Sequence, residues 1–125
     1  MTKFRKITKK RSEKLLIESF IKQFKNSLNK KKKFKKRFSF VLTGGSSPIN
    51  LYKKLSRSNI DWRCVDFFWG DERFVSSKSK FSNFNLAKKH LLKNIKIIKN
   101  QIFNINTHKK DSISSTFDYN DKIKK

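Results

Sequence analysis

The chain is poor in the residues that punctuate or cross-link a small protein: 125 positions hold one cysteine, one proline, one alanine, three glycines and 9 acidic residues. A single cysteine, Cys64, excludes both a disulfide framework and a Cys-based metal site. Set between Arg63 and Val65 at the start of an apolar run, it reads as a small buried core residue. Nowhere do about 18 apolar residues run together, so no membrane-crossing helix is expected. The basic start, Met1 to Ile7, is followed by no uninterrupted apolar stretch of the kind a secretory leader needs. These absences point to a cytoplasmic chain with no membrane partner.

Positive charge is what the chain has in excess: 33 basic residues against the 9 acidic ones give a formal charge of +24. Such a charge repels itself in a compact state and is compatible with disorder, but thirteen Phe and two Trp favour a packed core. The lysines have two readings. Runs such as Lys30 to Lys36 could be an electrostatic footprint for nucleic acid. Alternatively they follow coding bias, since Lys, Asn, Ile and Phe dominate and all have codons built only from A and T. Six arginines are few for a surface selected to grip phosphate backbones bidentately. A length of 125 residues allows one domain, residues 1–125, burying roughly two-thirds of its extended surface.

Apolar residues at three- and four-residue steps, Leu16, Ile17, Phe20, Ile21, Phe24 and Leu28, predict a one-sided helix over about 12–30, opened by Ser12-Glu13. A buried strand over 38–43 then meets a paired-glycine turn, Thr43-Gly44-Gly45-Ser46-Ser47, and a helix beginning at Pro48 with Ser46 or Ser47 as N-cap. That arrangement builds an anion site, because glycines let backbone N–H groups approach a ligand and a helix start offers unpaired donors. The natural guest is a phosphorylated small molecule.

A second strand, Cys64 to Trp69, ends in Gly70-Asp71-Glu72-Arg73. Polar residues at the carboxyl end of such a strand lie where open parallel sheets place their ligand crevice. Residues two apart point the same way, so Asp71 and Arg73 would face the crevice while Glu72 turns aside. A local Asp71–Arg73 ion pair explains the same residues equally well. The serine-rich loop 76–82 leads to a helix from Ser82 or Asn83, with Phe84, Ala87, Leu91 and Leu92 inside. Asn83 could cap that helix or reach the crevice. A short strand at 101–105, a polar segment 106–115 and a last helix over about 116–123 complete the prediction. The fold class is therefore α/β, a partial doubly wound, mostly parallel sheet with flanking helices, its motifs concentrated in residues 38–92.

Taken in register, Leu42-Thr43-Gly44-Gly45-Ser46-Ser47-Pro48 with Leu51-Tyr52 and Leu55, Asp61-Trp62, Phe67-Phe68-Trp69-Gly70-Asp71-Glu72-Arg73-Phe74-Val75 and Ser82-Asn83 resemble the amino-terminal half of the 6-phosphogluconolactonases. These belong to one superfamily with the glucosamine-6-phosphate deaminases. Arg73 after Asp71-Glu72 resembles the lactonase branch. The resemblance implies hydrolysis of 6-phosphoglucono-1,5-lactone in the pentose phosphate pathway, with Thr43, Gly44, Gly45 and Ser46 lining the sugar-phosphate site. It implies Arg73 as their cationic partner, Asp71 as a carboxylate in the crevice, and neither metal nor cofactor.

Lactone hydrolysis needs a general base and a stabilised oxyanion. In the family the base is held to be a His in a Gly-x-Asp-Gly-His segment, and this chain has no such segment. Its histidines, His90 and His108, do not follow Asp-Gly. The expectation is a truncated or split gene product, inactive alone, with a phosphorylated sugar lactone as ligand and a second polypeptide as a candidate to complete the fold. A non-catalytic sugar-phosphate-binding module is the alternative, and a basic nucleic-acid-binding protein a third.

Overall fold

The computed structural model describes residues 7–124; the start of the basic amino terminus thus lies outside the described residues. Helix α1 spans Glu13–Lys33, followed by strand β1 (Phe38–Leu42), helix α2 (Ile49–Arg57), strand β2 (Val65–Trp69), helix α3 (Asn83–His90), the two-residue strand β3 (Ile102–Phe103) and helix α4 (Ser112–Lys124). The three strands form one parallel sheet in the order β1-β2-β3. Phe38, Phe40 and Leu42 stand opposite Val65, Phe67 and Trp69. Because side chains alternate along a strand, these six share one sheet face.

That face is the core. Val65, Phe67 and Trp69 are fully buried together with Leu42, and they pack with Ile21, Phe24 and Leu28 of α1, Tyr52 and Leu55 of α2, and Ala87 of α3. The aromatic residues interlock, with Phe24 edge-on to both Phe38 and Phe40 and tilted against Trp62. Burying a side chain of this size contributes about 2–3 kcal/mol, and this cluster offsets the self-repulsion of a strongly cationic chain. The predicted stripe on α1 is wider than the buried one: Leu16 and Phe20 remain 46% and 37% exposed.

Several boundaries differ from expectation for identifiable reasons. Helix α2 begins at Ile49, and Pro48 is its N-cap residue rather than its first helical position; neither Ser46 nor Ser47 caps it. Helix α4 begins four residues before its predicted start because Asp111 accepts the Ser114 amide at 2.8 Å, an N-cap within the segment read as polar loop. Strand β3 is shortened because Gln101, predicted to open it, is buried in a 3-10 turn instead. There its amide donates to the Trp62 and Val65 carbonyls at 2.7 and 2.8 Å. Cys64 is half-buried rather than core.

Candidate functional site

The carboxyl ends of β1 and β2 are each held by a tyrosine. The Tyr52 hydroxyl accepts from the Thr43 amide at 3.0 Å and donates to the Thr43 carbonyl at 2.6 Å. Tyr119 on α4 does the same to Trp69, at 2.7 Å in both directions. Each phenol occupies both polar groups of one residue, as a neighbouring strand would. Burial raises the pKa of both tyrosines, so both stay protonated and able to donate. The two loops that leave these strand ends therefore start from fixed points.

In the first loop, Gly44 and Gly45 serve different ends. A Cβ on Gly44 would lie 1.8 Å from Oδ1 of Asn83, so only glycine allows α3 to come this close. Gly45 has open space around it but a φ of +85°, the left-handed region glycine adopts without strain. The second loop reaches the same place from the other side. The Asn83 amide nitrogen donates to the carbonyl and to Oδ1 of Asp71, both at 3.2 Å. Asn83 is buried and is thus the joint between the glycine turn and the Asp71 strand end. Ser82, rather than Asn83, is the helix cap, accepting the Asn85 amide at 3.1 Å.

Glu72 has a structural task. Its carboxylate accepts from the amides of Asn83 (2.7 Å), Phe84 (2.9 Å) and Arg73 (2.8 Å), and from the Ser82 hydroxyl (3.1 Å). The positive end of α3 is thus neutralised internally. Helix α2 differs: no side chain caps it and no acidic residue sits in its first turn. Of the two helix starts at this end of the sheet, α2 is the one whose backbone amides meet no carboxylate; Glu13 of α1 reaches its first turn only through the Asn50 side chain, at 3.2 Å.

A shallow cleft of about 290 Å³ opens here, lined by Gly45, Ser46 and Ile49 from the glycine turn and the start of α2, and by Arg73, Lys80, Phe81, Ser82, Asn83 and Leu86 from the second loop and α3. It brings together four of the predicted site residues, Gly45, Ser46, Arg73 and Asn83. Thr43, Gly44 and Asp71 stand behind or beside it. The Asp71–Arg73 ion pair does not form; among the described residues the Arg73 guanidinium has no protein acceptor, and the ion pairs present involve Asp61, Asp66 and Asp118 only. Lys80 is the lining cation that sequence reasoning missed. Its signal was a cation two positions before the Ser82 cap, within a loop read only as serine-rich.

Neither histidine reaches the cleft. His90 lines a separate groove with Lys53, Arg57, Lys89 and Lys93, where burial and then Lys53, Lys89 and Lys93 lower its pKa. His108 lies 3.4 Å from the Ser77 hydroxyl in an exposed loop.

Residues 11–125 match the family described as Glucosamine-6-phosphate isomerases/6-phosphogluconolactonase. The chain belongs to this family. It is 40% identical over 52 residues to the 6-phosphogluconolactonase of Nostoc sp., covering 42% of this chain and 22% of that one. It is 28% identical over 91 residues to the Thermotoga maritima 6-phosphogluconolactonase, covering 73% and 41%. The crystal structure of a 6-phosphogluconolactonase from Thermotoga maritima superposes with a TM-score of 0.79 at 25% identity, covering 86% of this chain and 49% of that one. The chain thus spans about half the length of that relative. Family and α/β fold agree with the resemblance carried by residues 42–83. Among the described residues no helix is long and apolar enough to cross a membrane.

Proposed function

We propose that the chain carries the phosphosugar-binding part of a 6-phosphogluconolactonase site, whose ligands are 6-phosphoglucono-1,5-lactone and its ring-opened product. The observation that carries this reading is the cleft in which Gly45, Ser46 and Asn83 meet the unpaired guanidinium of Arg73. A planar guanidinium with no protein acceptor suits bidentate contact with phosphate. The glycine turn and the uncapped first turn of α2 supply neutral donors beside it. Thr43, clamped by Tyr52, and Gly44, packed on Asn83, hold the turn in place.

In the reaction, a water oxygen bonds to the lactone carbonyl carbon, the ring C–O bond breaks, and the ring oxygen takes up a proton. Asp71, exposed and oriented by Asn83, belongs to the crevice side on which the lactone ring would extend from a phosphate held at Arg73. The attacking water needs a base. Neither histidine of the chain lines the cleft, so the 125 residues are proposed to bind the phosphosugar without turning it over.

Titration calorimetry with 6-phosphogluconate tests the reading, paired with a lactone hydrolysis assay on the same sample. Saturable binding that weakens roughly tenfold to hundredfold in Arg73→Ala, the loss expected for a hydrogen bond to a charged group, with hydrolysis at the uncatalysed rate, supports it. Absence of binding, or turnover typical of an enzyme, contradicts it.

A further inference from the structure

We propose that Lys80 is a second phosphate-binding cation, which selects the doubly ionised phosphate monoester over singly charged anions; this rests on the phosphosugar reading of the cleft. Lys80 lines the cleft together with Arg73, Gly45 and Ser46. Its ammonium lies 5.2 Å from the centre of the Phe81 ring, a cation–π contact that favours holding the head group at the cleft instead of letting it extend into solvent. Phe81 lines the cleft as well.

The charges facing this cleft do not cancel. Arg73 and Lys80 contribute two positive charges, and neither takes part in an ion pair among the described residues. The two carboxylates of the neighbouring strand end do not line the cleft: Glu72 accepts from the start of α3 and Asp71 from the Asn83 amide, behind and beside its wall. Helix α2 contributes Ile49 and helix α3 contributes Asn83 and Leu86, none of them ionisable. Two unpaired cations with neutral donors between them match two negative charges on one group. A phosphate monoester carries that charge only above its second pKa of about 6. A sugar carboxylate, with one charge, would leave one cation unsatisfied.

The test measures the affinity of the 125-residue protein for 6-phosphogluconate at pH 8 and pH 5.5. Wild type is compared with Lys80→Ala, Lys80→Glu and Lys78→Ala, a neighbouring loop lysine that does not line the cleft. Circular dichroism verifies that each variant is folded. At pH 8 Lys80→Ala should bind about tenfold more weakly, the scale of one charge-assisted contact, and Lys80→Glu more weakly still. Lys78→Ala should change affinity less than twofold. At pH 5.5 the difference between wild type and Lys80→Ala should shrink, because the ligand phosphate has lost its second charge. If wild type binds and Lys80→Ala matches Lys78→Ala, the role of Lys80 is overturned while the phosphosugar site stands. If wild type binds no 6-phosphogluconate, both fall.

Discussion

Gly44 and Gly45 are adjacent, yet replacing them should give different results. Gly44→Ala drives a methyl group into the Asn83 amide, 1.8 Å away, and Asn83 is buried. Overpacking of this kind costs about 1–3 kcal/mol. Gly45→Ala meets open space and loses only the left-handed backbone preference, about 1 kcal/mol. Urea denaturation should therefore rank Gly44→Ala as the more damaging change. Adding Asn83→Ala to Gly44→Ala should cost less than the sum of the two single changes, because it removes the clashing atom; strict additivity would mean that the approach of Asn83 is unimportant. Glu72 offers a second test at this scale. Glu72→Gln halves the accepting capacity that holds the Asn83, Phe84 and Arg73 amides and the Ser82 hydroxyl, and should lower stability by about 1–2 kcal/mol. The glycine pair and Asn83 were legible in the sequence. The use of Glu72 was not, because a carboxylate that caps a helix eleven residues later leaves no local pattern.

At the scale of elements, α1 ends in a Schellman motif without its usual glycine. The Lys35 amide donates to the Lys32 carbonyl, the Lys36 amide donates to the Lys31 carbonyl, and Lys35 holds a φ of +52°. Lys35→Gly should raise stability by about 1 kcal/mol, read as a higher denaturation midpoint at unchanged slope. Asp61 ties the end of this helix to the approach to β2, accepting from Lys32 and Arg63, each at 2.8 Å. These partners, Arg63 first, hold its carboxyl well below the usual aspartate range. A depressed folded-state pKa contributes stability that is fully present above the ordinary aspartate pKa near 4 and is lost as the pH falls below it. The acid limb of a stability profile should be flatter in Asp61→Asn than in wild type. Helices and strands with strong periodicity, α1 and β2 above all, were readable in advance. The start of α4 and the shortness of β3 were not, because each depends on one side chain: Asp111 capping a backbone amide, and Gln101 reaching the carbonyls of Trp62 and Val65.

For the whole molecule, the balance lies between one aromatic core and a formal charge of +24. Asp61, Asp66 and Asp118 carry the ion pairs of the described residues, so most lysines face one another through solvent. Screening by added sodium chloride should raise the melting temperature between low ionic strength and about 0.15 M, where the Debye length falls to about 8 Å. A melting temperature that falls with salt would mean that the few ion pairs outweigh the repulsion. The sequence motifs were sufficient to identify the family, because residues 42–83 bring two strand ends and two helix starts to a single point. They were not sufficient to separate the residues that line the cleft from those that support it. Thr43, Gly44 and Asp71 stand behind or beside it, whereas Lys80, from a loop with no recognisable motif, takes part in its wall. The central claim is that a phosphosugar occupies this cleft, and the most direct measurement is a map of backbone amide shifts as 6-phosphogluconate is added to the 125-residue protein. The account predicts saturable shifts at Gly44, Gly45, Ser46, Arg73, Lys80 and Asn83; shifts confined to the groove of Lys53, Lys89 and His90, or none at all, would contradict it.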